Sequence, residues 1–146
     1  MLCSELCFAT YFEKMLAPQA FEIKILTHPD DALDLIDEWK PDILGLSSYI
    51  WNSNLSYRIC EYAKEKNEKI LTILGGPEFP SGTGAHSFSE TIKKNCLNYL
   101  QEKPCIDYYC YADGETGFNS CVQDYIKFNF DVIQMKKENV IPDGAM

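Results

Sequence analysis

The chain reads Asp42-Ile43-Leu44-Gly45-Leu46-Ser47 and, further along, Lys69-Ile70-Leu71-Thr72-Ile73-Leu74. Within these stretches, Asp42–Leu46 and Ile70–Leu74 are nearly continuous apolar runs, which are typical of strands that are buried on both faces of a parallel sheet. The segment between them has apolar residues at helical spacing, and these are Leu55, Ile59, Tyr62 and Ala63. We therefore predict a βαβ unit in which residues 42–47 and 69–74 are adjacent, parallel, buried strands.

The alternation of strand and helix continues outward from this unit in both directions. Upstream, Phe21–Thr27 is predicted to be a strand, and a helix with the apolar stripe Ala32, Leu35, Ile36 and Trp39 follows Pro29. Downstream, residues 106–111 alternate like a half-exposed edge strand beside residues 69–74, and a helix follows Gly114. Strands that recur at steps of about 30 residues predict a doubly wound sheet. The expected fold class is thus α/β, a flavodoxin-like, Rossmann-type three-layer αβα sandwich with a mainly parallel sheet.

Three segments depart from this regular pattern. Residues 2–16 have a helical stripe, so the predicted order has no strand before its first helix. Residues 80–103 insert a loop and an extra helix, for which Ser87 and Glu90 form a predicted capping box. The tail, residues 131–146, is predicted to form a short hairpin. We interpret residues 1–146 as a single domain.

Composition narrows the classes of protein to consider. The chain has 146 residues, 46% of them hydrophobic, which is enough for one core and argues against disorder. Its 22 Asp and Glu against 13 Lys and Arg give a net charge of -9, which disfavours nucleic acid and anionic membranes as partners. No apolar run approaches the roughly 20 residues of a membrane span. The odd number of cysteines, seven, indicates reduced thiols in a cytoplasmic protein.

Ligands of open α/β sheets bind at the carboxyl ends of the strands, and three loops there have unusual residues. The first offers serine hydroxyls and aromatic rings, the second two adjacent glycines without Cβ atoms, and the third a glycine and a carboxylate. These features suit a large, planar, partly polar cofactor. The candidate cofactor-binding residues are Ser47, Ser48, Tyr49, Trp51, Gly75, Gly76, Pro77, Glu78, Gly114 and Glu115.

Simpler interpretations of the same residues remain open. Gly75-Gly76-Pro77 is also compatible with an ordinary turn, and Trp51 with a core aromatic. Glu78 and Glu115 suit acid–base chemistry, but Glu115 also stands where a helix N-terminus favours a carboxylate.

The motifs occur in a specific order: Lys40–Ser47, then Leu74–Glu78, then Ile106–Tyr109, then Gly114-Glu115 with Phe118. In this order they resemble the N-terminal B12-binding domain of radical-SAM enzymes, over most of the chain. The resemblance implies cobalamin as the cofactor, with Ser47, Ser48, Gly75 and Gly76 in the loops that face its nucleotide tail. It also implies a radical-SAM catalytic domain, in cis or in trans, as partner. The 4Fe-4S cluster and S-adenosylmethionine would bind to that domain only.

Two motifs of the wider families are absent from the sequence. The cobalt-ligating Asp-x-His-x-x-Gly loop is not found, since His28 and His86 stand in other contexts; the radical-SAM relatives generally lack it too. Cys3 and Cys7 begin a Cys-x-x-x-Cys-x-x-Cys pattern, but Thr10 replaces its third cysteine, and a cluster needs all the thiolates. No complete catalytic motif is therefore present.

Two alternatives to a cobalamin module remain. One is a degenerate domain that binds no cofactor and serves as an interaction or substrate-presenting module. The other is an independent FMN protein of the flavodoxin type, which is disfavoured because the phosphate-binding first loop is not found.

Overall fold

The structure is a computed structural model that describes residues 21–26, 28–78, 90–111 and 114–146. In these ranges helices and strands alternate along most of the chain. The elements are α1 (Asp31–Trp39), β1 (Ile43–Ser47), α2 (Ser53–Lys66), β2 (Leu71–Gly75), α3 (Glu90–Glu102), β3 (Tyr108–Cys110), α4 (Gly114–Lys127) and α5 (Val132–Lys137).

The strands form a parallel sheet in the order β1-β2-β3. Ile43 lies opposite Leu71, and Ile73 lies opposite Tyr108. The first four residues of β2 are buried, as expected for a central strand with helices on both of its faces. The prediction of adjacent, parallel strands is confirmed for the first βαβ unit, and the fold is Rossmann-like and flavodoxin-like. The predicted burial is confirmed for β2 but was wrong for β1, in which Leu44 is buried while Gly45 and Ser47 are exposed.

Two apolar clusters cover the two faces of the sheet, because successive side chains of a strand point to opposite faces. On one face Leu71 and Ile73 pack with Val122 of α4 and Met135 of α5. The other cluster joins strand residues to α1, α2 and α3, and includes Leu44, Leu74 and Tyr109 with Ile36, Ile59 and Cys96. The result is the three-layer arrangement predicted from the sequence.

The carboxyl-terminal tail covers the outer edge of β3. Ala145 forms an antiparallel bridge with Cys110. The backbone N–H of Tyr109 donates to Met146 O at 2.9 Å, and that of Met146 donates to Tyr109 O at 3.1 Å. Residues 106–110 are consequently all buried. The prediction of a half-exposed edge strand was wrong, because a segment distant in sequence supplies the missing neighbour.

The predicted hairpin in residues 131–146 was also wrong. This segment forms α5 and then an extended end that pairs with β3. Asp131 caps α5, its side chain accepting a hydrogen bond from the backbone N–H of Gln134 at 3.1 Å. That contact stabilises a helix start where the sequence analysis expected strands.

The predicted strand Phe21–Thr27 was wrong as well, since residues 21–26 have no regular secondary structure, and Thr27 lies outside the described residues. Phe21, Ile23 and Ile25 are exposed. Lys24 lies beside α1, with its Nζ 4.8 Å from the centre of the Trp39 ring. Alternation identifies an apolar face, but a strand also needs a neighbour for its backbone hydrogen bonds. In the described part of the chain β1 pairs only with β2.

The predicted helices around and after the first βαβ unit are confirmed, as α1, α2, α3 and α4. The apolar stripe does not fix the start of α2, and its N-cap is Asn52. Several predictions lie outside the described residues, namely the helix over 2–16, the loop over 80–84 and the roles of Cys3, Cys7, His86 and Ser87. None of the helices in the described ranges combines the length and hydropathy that crossing a bilayer requires.

Candidate functional site

Two loops meet at the carboxyl edge of the sheet: the first loop (residues 47–52) follows β1, and the second loop (residues 75–78) follows β2. The backbone N–H of Ser48 donates to Gly75 O at 2.6 Å, and that of Glu78 donates to Ser48 O at 3.3 Å. The Ser48 hydroxyl also donates to the carboxylate of Glu78. The structure therefore brings together residues of both predicted loops as one hydrogen-bonded unit.

The two serines of the first loop have different environments. Ser48 is fully buried, and its hydroxyl hydrogen is used in the contact with Glu78. Ser47 is exposed at the end of β1. Of the two hydroxyls proposed from the sequence, Ser47 is thus the one on the surface, while Ser48 holds the loops together.

The two glycines of the second loop also differ. Gly76 has φ +126°, and a Cβ built on it would lie 2.6 Å from Ser48 O. A Cβ on Gly75 would meet Cys110 Cβ at 3.4 Å, an ordinary contact distance. Gly76 is therefore required by the packing of one loop against the other, and its approach to a ligand stays a prediction.

Tyr109 of β3 forms a hydrogen bond with the second loop. Its side chain is fully buried, and its hydroxyl donates to Gly76 O at 2.6 Å. Tyr109 is not among the candidate residues predicted from the sequence. A signal existed, since a tyrosine in a buried strand needs a partner for its hydroxyl.

The first loop carries two aromatic residues, of which Trp51 is exposed and Tyr49 is half-buried. Tyr49 and Trp51 stack with ring centroids 4.5 Å apart and planes inclined at 21°. The Trp51 side chain is 77% exposed and Ile50 80%. The interpretation of Trp51 as a core aromatic was wrong. Its ring lies on the surface, where its flat face is accessible to a ligand.

Glu78 lies near the helix of the inserted segment, α3. Burial and, secondarily, the negative charge of Glu78 raise the pKa of the Cys96 thiol to about 12. The pKa of Tyr99 is raised by the same two causes, in the same order. The charge of Glu78 thus acts on side chains of α3, and Cys96 and Tyr99 are protonated at neutral pH.

The third loop is less closely connected to the other two. Gly114 and Glu115 form the start of α4, at the same edge of the sheet, while residues 112 and 113 are outside the described ranges. In the same helix Phe118 packs over β1, where a Cβ on Gly45 would lie 2.7 Å from its ring. Glu115 is in the first turn of α4, where a carboxylate complements the helix dipole.

In the described residues the site forms a surface platform on which Ser47, Ile50 and Trp51 are exposed. Cavities of about 300 and 560 Å³ lie at other places, beside Asp107 and beside Ile70, which both precede their strands at the amino edge. Within the described ranges no three His, Cys, Asp or Glu side chains are grouped as metal ligands. An exposed hydroxyl, stacked rings and glycine backbone provide the polar and flat contacts that a large planar cofactor needs. The residues present therefore fit such a group.

Residues 9–85 match the family model for the B12 binding domain. The chain belongs to this family. The matched part includes β1, α2, β2 and both connected loops, whereas β3, α4 and α5 lie beyond it.

Curated relatives of this B12-binding domain include methyltransferases from bacteria and an archaeon. The cobalamin-dependent radical SAM methyltransferase TokK of Streptomyces tokunonensis is 28% identical over 79 residues, 54% of this chain and 10% of TokK. A 2-(S-pantetheinyl)-carbapenam-3-carboxylate methyltransferase of Streptantibioticus cattleyicolor is 28% identical over 53% of this chain and 10% of its own length. An uncharacterized methyltransferase of Pyrococcus horikoshii is 26% identical over 92 residues, which are 63% of this chain and 17% of the methyltransferase. The similarity thus covers only a small part of each relative.

Proposed function

We propose that this B12-binding domain holds cobalamin at the carboxyl edge of its sheet. The observation that carries the proposal is the interlocked pair of loops, with the exposed Trp51 stacked on the half-buried Tyr49, within the part of the chain that matches the family. A platform whose loops are hydrogen-bonded to each other before the ligand arrives has less ordering entropy to lose on binding.

The contacts with the cofactor are assigned by the surface that each residue offers. Ser47 and the exposed backbone of Gly76 would contact the polar nucleotide tail, and the rings of Tyr49 and Trp51 would contact flat surface of the ligand. Gly75, Pro77, Gly114 and Glu115 complete the proposed site, while Ser48 and Glu78 maintain its shape. When bound, the corrin cobalt would supply the group-transfer chemistry, and the protein would supply position and shielding.

We further propose that residues 1–146 act as a cytoplasmic accessory module for a radical-SAM catalytic domain, on the same or another chain. One relative supports this partner: TokK is named a radical SAM methyltransferase, and the aligned segment is 10% of its length. The 4Fe-4S cluster and S-adenosylmethionine belong to that domain in this proposal. The free, buried thiols of Cys60, Cys96 and Cys121 are typical of a reducing compartment.

Cobalamin retention tests the binding proposal directly. The purified protein is mixed with hydroxocobalamin and desalted, and the absorbance of the protein fraction is recorded. We expect a coloured fraction whose spectrum does not change in His28→Ala, because His28 does not stand in the cobalt-ligating motif. Trp51→Ala should retain less cobalamin at unchanged stability, since this side chain is 77% exposed. Ile133→Ala, an exposed apolar residue of α5 beside the cavity at the amino edge, is the matched control.

An interaction or substrate-presenting module is the second candidate. The exposure of the neighbouring Ile50 and Trp51 favours it, because adjacent large apolar side chains on a surface also mark protein contacts. Loss of all colour from the wild-type protein on the column would refute the cobalamin proposal for this chain and favour this alternative.

A further inference from the structure

Asn52 makes an unusual set of contacts at the end of the first loop. Its Oδ1 accepts a hydrogen bond from the backbone N–H of Tyr49 at 2.6 Å. Its Nδ2 donates to Ser47 O at 3.0 Å. The backbone N–H of Asn52 also donates to Tyr49 O at 3.0 Å. One residue therefore connects both ends of the segment that carries the stacked rings.

The same residue occupies the N-cap position of α2 without using its side chain as a cap. Asparagine is among the preferred N-cap residues because its side-chain oxygen accepts a hydrogen bond from the first turn of the helix. Asn52 makes no such bond. Its amide turns back to the loop instead, so the contacts with Tyr49 and Ser47 replace the usual stabilisation of the helix start.

We infer that Asn52 is a positioning residue for ligand binding: it holds the Tyr49–Trp51 pair in the orientation that meets the cofactor. Trp51 has little support from the core, since 77% of its side chain is exposed, and its ring contact is with Tyr49. The orientation of the pair therefore depends on the backbone of the first loop, which Asn52 fixes at two points. This inference rests on the proposed cobalamin site and adds a residue that contacts the loop rather than the ligand.

Fluorescence of a single tryptophan separates the effect on the loop from the effect on the ligand. Trp39→Phe removes the only other tryptophan and keeps an aromatic ring beside Lys24. In this background we compare Asn52→Ala with Asn54→Ala, the same substitution at an exposed position two residues further along. Steady-state anisotropy of Trp51 without ligand reports the loop, and titration with hydroxocobalamin reports affinity.

We expect Asn52→Ala to lower the Trp51 anisotropy and to weaken cobalamin binding about tenfold, because only the fraction of molecules with an ordered loop binds well. Asn52→Asp keeps the acceptor for the Tyr49 N–H and should recover part of both signals. Asn54→Ala should match the background protein. A purely structural role would lower thermal stability but leave both the anisotropy and the affinity of the folded protein unchanged.

The outcomes separate this inference from the proposed function. If the background protein binds cobalamin and Asn52→Ala binds it equally well with the same anisotropy, the inference is overturned and the cobalamin site stands. If the background protein binds no cobalamin, the proposed function fails and the ligand role of Asn52 fails with it. An equal loss of affinity in Asn54→Ala would also overturn the inference, because the effect would not depend on the loop contacts.

Discussion

The two adjacent glycines of the second loop should respond very differently to the same substitution. Gly76 has φ +126°, a conformation that residues with a Cβ rarely adopt, and such strain costs about 1–3 kcal/mol. The new Cβ would also lie 2.6 Å from Ser48 O, which accepts the Glu78 N–H bond. Moving that carbonyl loses a bond worth about 1 kcal/mol. We therefore expect Gly76→Ala to lower the free energy of unfolding by about 2–4 kcal/mol.

Gly75→Ala is the matched control one residue earlier. The φ of Gly75 is outside the left-handed region, and its new Cβ would meet Cys110 Cβ at the ordinary distance of 3.4 Å. Replacing glycine by alanine in a compatible conformation restricts the unfolded chain and changes stability by less than about 1 kcal/mol. The free energy of unfolding of Gly75→Ala should therefore remain close to that of the wild type.

Urea denaturation followed by circular dichroism measures the contrast. With a slope of about 1.5 kcal/mol per M, a loss of about 3 kcal/mol lowers the urea midpoint by about 2 M. Equal midpoints for Gly76→Ala and the wild type, or equal losses for both variants, would refute the reasoning. A Gly76→Val protein that retains less cobalamin has lost either a contact with the ligand or the packing against Ser48. The free energy of unfolding of this variant is therefore measured together with its retention of cobalamin.

Three further outcomes are expected from other parts of the fold. Asp107→Asn removes the buried carboxylate that pairs with Lys64 at 2.7 Å and with Lys136 at 2.6 Å. We expect it to lower the free energy of unfolding, measured by urea denaturation, by about 3–5 kcal/mol. A loss below about 1 kcal/mol would contradict a structural role for these two ion pairs. The pKa of the Cys96 thiol is raised to about 12, mainly by burial. This thiol should therefore react with iodoacetamide at pH 8 in urea but not in the native protein, as measured by peptide mapping. Rapid labelling of the native protein would show that α3 opens. Deleting residues 143–146 exposes the edge of β3 and should cause concentration-dependent association in light scattering. An oligomeric state equal to that of the full chain would contradict the role of the tail in covering this edge.

The sequence alone predicted the central βαβ unit and the order of the two loops. The runs Ile43–Leu46 and Ile70–Leu74 consist mainly of apolar residues, and such runs can be recognised as strands without the structure. The burial that they predict is found in β2 but not along most of β1. The helices α1, α2 and α4 follow equally from local periodicity. Because parallel strands end at one edge of a sheet, the positions of the first and second loops followed as well.

What the sequence could not determine depends on neighbours that are distant along the chain. Phe21–Leu26 and β3 have comparable alternation, yet only β3 is a strand, because the sheet and the tail provide it with hydrogen-bond partners on both sides. Local patterns specify which face of a segment is apolar. They do not specify which segment will pair with it.

The division of roles within the site was likewise decided by tertiary structure. Ser47 and Ser48 are chemically identical in the sequence, but Ser48 points to Glu78 in the folded protein while Ser47 is exposed. Asparagine is a preferred helix N-cap, but the Asn52 side chain accepts a hydrogen bond from Tyr49 in the first loop and caps no helix. Sequence therefore determined which residues reach the carboxyl edge of the sheet. Only the packing of one loop on the other determined which of them hold the platform together and which remain on its surface, since these contacts join residues of loops that follow different strands.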